Sequence, residues 1–225
     1  MSAEPDIPLD PDADLAARIA AATALRNFAH AFVTYDAPIE AIHQAGAWAT
    51  AQTELWSHGG RRDRLAMMHA ARARAIALGN ANAGMMTGGA GFEDRAVAGK
   101  ANPSGVDIQV REFGEVCSVD VIFHKANEGP PGRAHGGIVS AVFDDVTGYI
   151  IGSLAKPAFT GELTVRLVAP VPLDTPLLFR TWLDREDGRK LHIHAEALDG
   201  DHVVATCKAI YITVDPSLFG TSADI

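Results

Sequence analysis

The chain is poor in the residues that mark secreted, membrane-spanning and nucleic-acid-binding proteins. It has only two cysteines, Cys117 and Cys207, each in an apolar, strand-like run, which favours buried free thiols in a reducing compartment over a disulfide framework. No uncharged run reaches membrane-spanning length, and the first residues are acidic where a signal peptide needs a basic leader. The net charge of −9 argues against a general surface for nucleic acid or anionic membranes. We therefore expect a cytoplasmic protein that neither binds nucleic acid nor inserts into a membrane.

Several catalytic and ligand-binding motifs are also missing. No Gly-x-Ser-x-Gly elbow occurs, which excludes a serine esterase built on an α/β sheet. The stretch Gly88–Gly91 lacks the spacing of a dinucleotide loop, and Gly99-Lys100-Ala101 lacks the Ser or Thr of a phosphate loop. His192 and His194 alternate along a predicted strand, but no third ligand follows at a suitable spacing. We predict ordinary histidines there and no metal site.

The hydrophobic pattern changes its period along the chain. From Leu15 to Leu78 the sequence is Ala-rich with apolar residues near helical spacing, which predicts several amphipathic helices. Breaks fall near Asp36-Ala37-Pro38 and Ser57–Gly60. The apolar positions of the first helix are Leu15, Ile19, Ala22, Leu25, Phe28 and Phe32. Residues 79–103 are rich in Gly, Ala and Asn and are interpreted as a covering loop or linker.

After this segment apolar residues alternate, which predicts half-buried strands. The predicted strands are Val106–Phe113, a run with Cys117, Val119, Val121 and Phe123 on one face, a run with Leu163, Val165 and Leu167 on one face, Leu177–Arg185, a run with Leu191, Ile193, Ala195 and Ala197 on one face, and His202–Val214. Short turns at Glu186–Arg189 and Asp199–Asp201 support hairpins. We divide the chain into a helical N-terminal extension (1–80), a linker or covering loop (81–103), a main domain (104–215) and a tail (216–225).

One long apolar helix is predicted between the second and third strands. It follows a Gly/Pro-rich turn, opens with His135-Gly136-Gly137, and has Asp144 and Asp145 as its only charges. Two small residues at a helix start leave backbone N–H groups accessible at the positive end of the helix dipole, where an oxyanion binds. Asp144 lies about 12 Å further along the helix, so one carbonyl cannot touch both groups. Two copies of the helix packed antiparallel place the start of one beside Asp144 of the other. The sequence therefore predicts a homodimer with shared active sites.

Roughly residues 104–214 resemble the PaaI-like (phenylacetate-type) hotdog-fold acyl-CoA thioesterases. The resemblance is carried by the segments Glu128–Gly148, Thr160–Arg166, Ala169–Leu173 and Asp187–Lys190. It implies an α+β hotdog fold, in which a curved antiparallel sheet wraps one long central helix, here with an N-terminal helical extension. It also implies hydrolysis of a thioester to a free acid and coenzyme A (CoA). No cofactor is expected, because CoA is part of the substrate.

The resemblance assigns roles to residues of this chain. The Gly136 amide would hold the oxyanion with help from Gly137 or His135, Asp144 would be the catalytic acid residue, and Thr160 would assist. His135 is expected either to cap the helix or to hydrogen-bond the thioester oxygen. Asp144 either activates water or attacks directly to give an anhydride. The family offset favours Asp144 over Asp145 as the catalytic acid residue. Asp145 is instead expected to be an interface or supporting carboxylate.

The expected partners are an acyl-CoA and a second copy of the chain, as a homodimer or a dimer of dimers. Arg189 and Lys190, in a predicted hairpin, are candidates for the CoA phosphates. A rival basic cluster consists of Arg61, Arg62, Arg64, Arg72 and Arg74. The family usually has an Asn in the loop ahead of the helix, for which Asn127 is the nearest candidate.

The same residues bear on two other functions, a hydratase and a non-catalytic binding module. A hotdog hydratase is disfavoured, because Tyr149 and Leu154 stand where its Asn and His would follow the acid. A hotdog module that binds acyl-CoA as a sensor or scaffold, without turnover, remains open. In that case the N-terminal helices would be an interaction surface, whereas in an enzyme they could also be a lid. The sequence does not indicate the acyl group.

Overall fold

One antiparallel sheet and a long helix form the centre of the molecule in the computed structural model, which describes residues 11–63, 66–67 and 93–215. The helices are α1 (Pro11–Thr34), α2 (Ile39–Ser57) and α3 (Gly136–Ser153). The strands are β1 (Asp107–Glu112), β2 (Val116–Ile122), β3 (Ala158–Leu167), β4 (Leu177–Asp187), β5 (Lys190–Asp199) and β6 (His202–Thr213). A 3-10 helix, Lys125–Asn127, precedes α3.

The strand order in the sheet is β1-β2-β4-β5-β6-β3, so β1 and β3 are its edges. All neighbouring strands are antiparallel. Two-residue loops join β4 to β5 and β5 to β6, and each begins with a glycine, Gly188 or Gly200, at φ 57°. A side chain disfavours this left-handed conformation, which explains the glycines. The predicted order of two strands, one long helix and four strands is confirmed, as is the α+β hotdog fold.

The hydrophobic core lies between α3 and the sheet. α3 packs against β2, β3, β4, β5 and β6. Phe143 of α3 is fully buried and its ring lies 4.9 Å from that of Phe179 on β4, which in turn lies 6.2 Å from Phe123. Both cysteines are buried and free. The predicted inward face of β2 and that of β5 are therefore confirmed, since all of their apolar positions are buried.

Strand β3 departs from the predicted pattern. Leu163 and Val165 are half-buried, as expected, but Leu167 on the same predicted face is 49% exposed. The reason is its position, because β3 is an edge strand and its end runs past the helix start. Phe159 near the other end of β3 is also exposed, at 54%.

The outer side of α3 is covered by the segment just before β1. Ala98 and Val106 are buried in the core, and Val97 packs against it. Residues 146–152 of α3 are consequently all buried, although a helix on a single sheet would leave one side exposed. This part of the predicted covering loop thus lies against the core, whereas residues 79–92 fall outside the described part of the chain.

The N-terminal helices divide at the predicted breaks, with α1 ending at Thr34 and α2 running from Ile39 to Ser57. Arg26 Nη1 donates to the Asn102 carbonyl at 2.7 Å, and the Ala126 amide donates to His30 Nδ1 at 3.1 Å, so α1 contacts the main domain. α2 has no buried residue. Phe28 and Phe32 were predicted on the apolar face of α1, yet they are 49% and 56% exposed.

Most of the predicted helical run beyond Gly60 lies outside the described residues, and the division into four segments stays a prediction. Within the described ranges, no helix is both long and apolar enough to cross a membrane.

We predict that Phe179→Ala lowers the free energy of unfolding by about 3–5 kcal/mol, because the mutation leaves a cavity between two other phenylalanine rings. Urea unfolding followed by circular dichroism measures this. Phe113→Ala is the control: this side chain is 53% exposed, so the loss should stay within about 0.5 kcal/mol. Equal losses for both variants would contradict the proposed core.

Candidate active site

The start of α3 is fixed by two backbone hydrogen bonds and one side-chain cap. The Ala134 amide donates to the Val171 carbonyl at 2.9 Å, and the His135 amide donates to the Asn127 carbonyl at 2.8 Å. His135 Nδ1 then accepts from the Gly137 amide at 3.0 Å, as an N-cap side chain does. Of the two roles expected for His135, the structure shows the cap.

The two glycines at this helix start differ. The Gly137 amide already donates to His135, and a side chain at 137 would place its Cβ 3.0 Å from His135 Cε1. Gly137 therefore lets the cap form, and its N–H is engaged within the chain. No described residue accepts a hydrogen bond from the Gly136 amide. A Cβ at 136 would meet only the side chain of Leu167, at 3.0 Å, so Gly136 lies beside the end of β3.

Asp144 and Thr160 lie in direct contact. The Thr160 hydroxyl on β3 donates to Asp144 Oδ1 on α3 at 2.9 Å, and both residues are exposed. The sheet register shifts between Thr160 and Glu162, so Gly161 forms a bulge directly after Thr160. A Cβ at 161 would stand 3.0 Å from Ile212 Cγ1. The bulge therefore needs a glycine and orients the threonine towards the helix.

A buried polar cluster lies beneath this pair. Tyr211 on β6 is opposite Thr160 in the register and only 3% exposed. Its hydroxyl donates to the Asp144 carbonyl at 3.1 Å and lies 3.0 Å from Thr147 Oγ1, and the Thr160 hydroxyl is a further neighbour. Burial raises the pKa of Tyr211 to about 12. Burial, with a smaller effect of the Asp144 charge, raises the pKa of Cys207 to about 12 as well, so both remain neutral beside the carboxylate.

Asp145 faces the opposite side of α3 from this cluster. Its carboxylate lies 3.7 Å from Arg95 Nη1, and the Arg95 Nη2 group donates to the Tyr149 hydroxyl at 3.3 Å. Burial raises the pKa of Asp145, while the Arg95 charge and a hydrogen bond from the Ala98 backbone partly oppose this. The two adjacent carboxylates thus have different environments, one exposed beside a hydroxyl and the other half-buried beneath the covering segment.

The first pair of candidate phosphate-binding groups, Arg189 and Lys190, lies where β4 turns into β5. Arg189 Nε and Nη2 donate to the Thr213 carbonyl at 3.1 and 3.0 Å, and Lys190 beside it is exposed. In the rival cluster, Arg62 lies 3.7 Å from Asp94, whereas the side chains of Arg64, Arg72 and Arg74 are outside the described residues.

The remaining polar candidates have partners within the chain. Asn127 is buried, and its Oδ1 accepts from the His124 amide at 2.9 Å. His194 lies against Trp182, and His192 Nδ1 is 3.3 Å from Arg185. Across the described ranges, no three His, Cys, Asp or Glu side chains form a group able to hold a metal ion.

Tyr211, Thr147 and Arg95 were not singled out from the sequence. The sequence could have indicated Thr147, because it is a polar residue one helical turn after Asp144 in an otherwise apolar helix. It could not have indicated Tyr211, since a tyrosine in an alternating strand is ordinary. Arg95 belongs to a segment without periodicity, so its pairing with Asp145 follows only from the fold.

Comparison with known proteins agrees with this fold. Residues 131–206 match the model of the thioesterase superfamily. The acyl-coenzyme A thioesterase THEM4 of Xenopus laevis is 31% identical over 93 residues, which are 40% of this chain and 41% of that protein. The acyl-coenzyme A thioesterase THEM5 of Homo sapiens is 29% identical over 87 residues, which are 38% of this chain and 35% of that protein.

A crystal structure of a thioesterase superfamily protein aligns with a TM-score of 0.67 at 20% identity, covering 87% of this chain and 94% of that one. This likeness shows the fold, and the match of residues 131–206 confirms the resemblance at the level of the thioesterase superfamily. The chain spans about two fifths of the length of the curated relatives it matches.

We predict that Asp145→Asn changes how stability depends on pH. Because burial raises the pKa of Asp145 above its ordinary value of 3.8, the folded state binds this proton more tightly than the unfolded state does. The contribution of Asp145 to the free energy of unfolding is therefore full below 3.8 and is lost as pH rises through the folded-state pKa. Wild type should lose stability relative to the variant across this window.

Urea unfolding at several pH values between about 4 and about 7 measures the difference. Asp184→Asn, on an exposed side chain, controls for the loss of one carboxylate. If wild type instead gained stability relative to Asp145→Asn as pH rises, the sign would be wrong for a buried acid.

Proposed function

We propose that this protein is an enzyme that hydrolyses acyl-CoA thioesters to a free carboxylic acid and CoA. The observation that carries the proposal is the 2.9 Å hydrogen bond between Thr160 and Asp144, at an exposed point of an otherwise apolar helix. The match to the thioesterase superfamily and the names of the curated relatives support the reaction class.

The Gly136 amide is proposed to hold the thioester oxygen. It is the first residue of α3, where the helix dipole is positive, and its N–H has no acceptor among the described residues. Gly137 is left out of this role because its amide donates to His135. Since His135 Nδ1 accepts that bond, the neutral ring has its proton on Nε2, which can donate to the same oxygen.

Asp144 is proposed to act on the carbonyl carbon, by one of two routes. As a general base it takes a proton from water, whose oxygen adds to the carbon, and the tetrahedral intermediate then expels the CoA thiolate, which is protonated. As a nucleophile it forms an anhydride with loss of the thiolate, and water then hydrolyses the anhydride. In either route Thr160 donates to Oδ1, which orients the carboxylate and leaves Oδ2 towards the substrate.

A second copy of the chain is proposed to complete the site. In one copy, Gly136 and Asp144 are about 12 Å apart along the helix, too far to serve one carbonyl. Strand β3 is an edge of the sheet and exposes Phe159 and Leu167. An unpaired apolar edge of this kind is a surface on which another strand can pair.

Antiparallel pairing of two β3 strands supplies the missing geometry. With the twofold axis between Leu163 and Thr164, Thr160 of one copy lies opposite Leu167 of the other. Thr160 binds Asp144, and Leu167 is the neighbour of Gly136. The pairing therefore brings the carboxylate of each copy towards the helix start of the other, as the shared site requires.

Arg189 and Lys190 are proposed to bind the CoA phosphates. The side chain of Arg189 is anchored through Nε and Nη2 on the Thr213 carbonyl, which leaves Nη1 and the Lys190 ammonium as donors.

The reaction and the acid are tested together by thiol release from short, medium, long and aromatic acyl-CoA substrates. We expect wild type to turn over at least one substrate, and Asp144→Asn to lose roughly 10²–10⁴-fold in kcat, as loss of a general base does. Asp145→Asn is the matched control and should retain most of the activity while folded. If wild type binds acyl-CoA but releases no thiol from any substrate, the chain is a binding module instead.

The shared site is tested by mixing two inactive variants. Gly136→Pro removes the amide hydrogen at a first helical position, where proline is well tolerated, and His135 before it has the extended backbone (φ −66°, ψ 127°) that proline requires. When Gly136→Pro and Asp144→Asn are combined in equal amounts and their subunits exchange, half of the dimers contain one subunit of each variant. Each of these dimers has one intact site. About a quarter of the wild-type activity should therefore return.

Gly136→Ala is the control for this experiment, because it adds the Cβ but keeps the N–H. It should stay far more active than Gly136→Pro. If mass spectrometry shows mixed dimers and no activity returns, the two groups do not act across a dimer.

A further inference from the structure

Tyr211 joins the two elements that supply the proposed catalytic pair. Its hydroxyl donates to the Asp144 carbonyl and lies 3.0 Å from the Thr147 hydroxyl, both on α3, and it neighbours the hydroxyl of Thr160 on β3. Asp144 and Thr160 come from elements that are separate in the chain, and β6 lies beside β3 in the sheet. One buried oxygen atom therefore contacts both sides of the pair.

The proton on this hydroxyl is permanent under ordinary conditions. Burial raises the pKa of Tyr211 to about 12, so the group is a donor throughout the neutral range. Thr147 Oγ1 lies 2.9 Å from the Phe143 carbonyl and 3.1 Å from the Asp144 carbonyl, and the shorter contact takes its proton, as in other helical threonines. The Asp144 carbonyl accepts from Tyr211. The bond thus holds the helix backbone at the residue whose side chain faces the substrate.

The sheet register explains why a residue of β6 can do this. Thr160 pairs directly with Tyr211, and the next pair is Glu162 with Ile210, so Gly161 is the extra residue. Residues paired directly across two strands have side chains on the same face. The bulge therefore lies immediately beyond the Thr160–Tyr211 pair.

We propose that Tyr211 is a positioning residue, which fixes the separation between Asp144 and Thr160 and acts on the reaction only through that pair. The inference rests on the proposed hydrolysis at Asp144, but the contact itself can be tested without turnover. A tyrosine that merely fills the core would affect stability and leave the contact between Asp144 and Thr160 unchanged.

The first test is a double-mutant cycle on kcat with Tyr211→Phe, Thr160→Val and both together. We expect Tyr211→Phe alone to reduce kcat by roughly ten- to a hundredfold with little change in KM, because a small misplacement of a reacting group has effects of this size. In the Thr160→Val background the same change should have an effect below about twofold. An undiminished effect in that background would overturn the proposal.

The second test is the carbon-13 chemical shift of the Asp144 carboxyl carbon at constant pH, assigned with Asp144→Asn. The Thr160 hydroxyl donates to this carboxylate, so Thr160→Val and Tyr211→Phe should both move the resonance, without adding in the double variant. A resonance that Tyr211→Phe leaves unchanged would overturn the proposal.

Tyr149→Phe is the matched control, since Tyr149 is also 3% exposed and its hydroxyl contacts Arg95 on the other side of α3. It should leave kcat and the Asp144 carboxyl resonance unchanged. If Tyr211→Phe does not fold, the Cζ resonance of Tyr211 in Thr160→Val tests the same contact, and an unchanged resonance would overturn it. A wild type without thioesterase activity would refute the proposed function, whereas the two NMR measurements would still decide the role of Tyr211.

Discussion

The arrangement depends on a carboxylate that stays exposed in the middle of a largely buried helix. Ten residues of α3 are buried, and an ionised acid among them would be costly without partners. Asp144 avoids this cost because the sheet ends at β3, beside which the side chain remains exposed and accepts a hydrogen bond from Thr160. The edge of the sheet thus sets where on the helix a charge can lie.

The fold followed from periodicity, while the details of the site did not. Alternating apolar residues predicted β2 and β5 correctly because the inward faces of these strands are fully buried. The glycines at 188 and 200 predicted the hairpins. Pattern reasoning was wrong about the end of β3, where Leu167 is exposed because an edge strand runs past the helix. The pairing of Thr160 with Tyr211 was unpredictable, since it depends on a one-residue bulge that period-two patterns cannot show.

Neighbouring residues of α3 have separate tasks because successive helical positions face different surroundings. Asp144 lies towards β3 and β6, whereas Asp145 lies under the segment before β1 and interacts with Arg95. The glycines at the helix start show the same division, since one amide supports the His135 cap and the other lacks an acceptor among the described residues. Adjacent identical residues of this helix therefore have different roles, and only their three-dimensional surroundings distinguish them.

The sheet order has a consequence for how the protein is made. β6 lies between β5 and β3, although β3 precedes it in the chain by some forty residues. While the polypeptide emerges from the ribosome, β3 has no neighbouring strand until residues 202–213 have been synthesised. The apolar edge of β3 therefore stays unprotected from its own synthesis until that of β6, and such edges favour association between nascent chains. The Asp144 region can acquire its native geometry only after β6 has inserted, so the order of synthesis delays the maturation of the site.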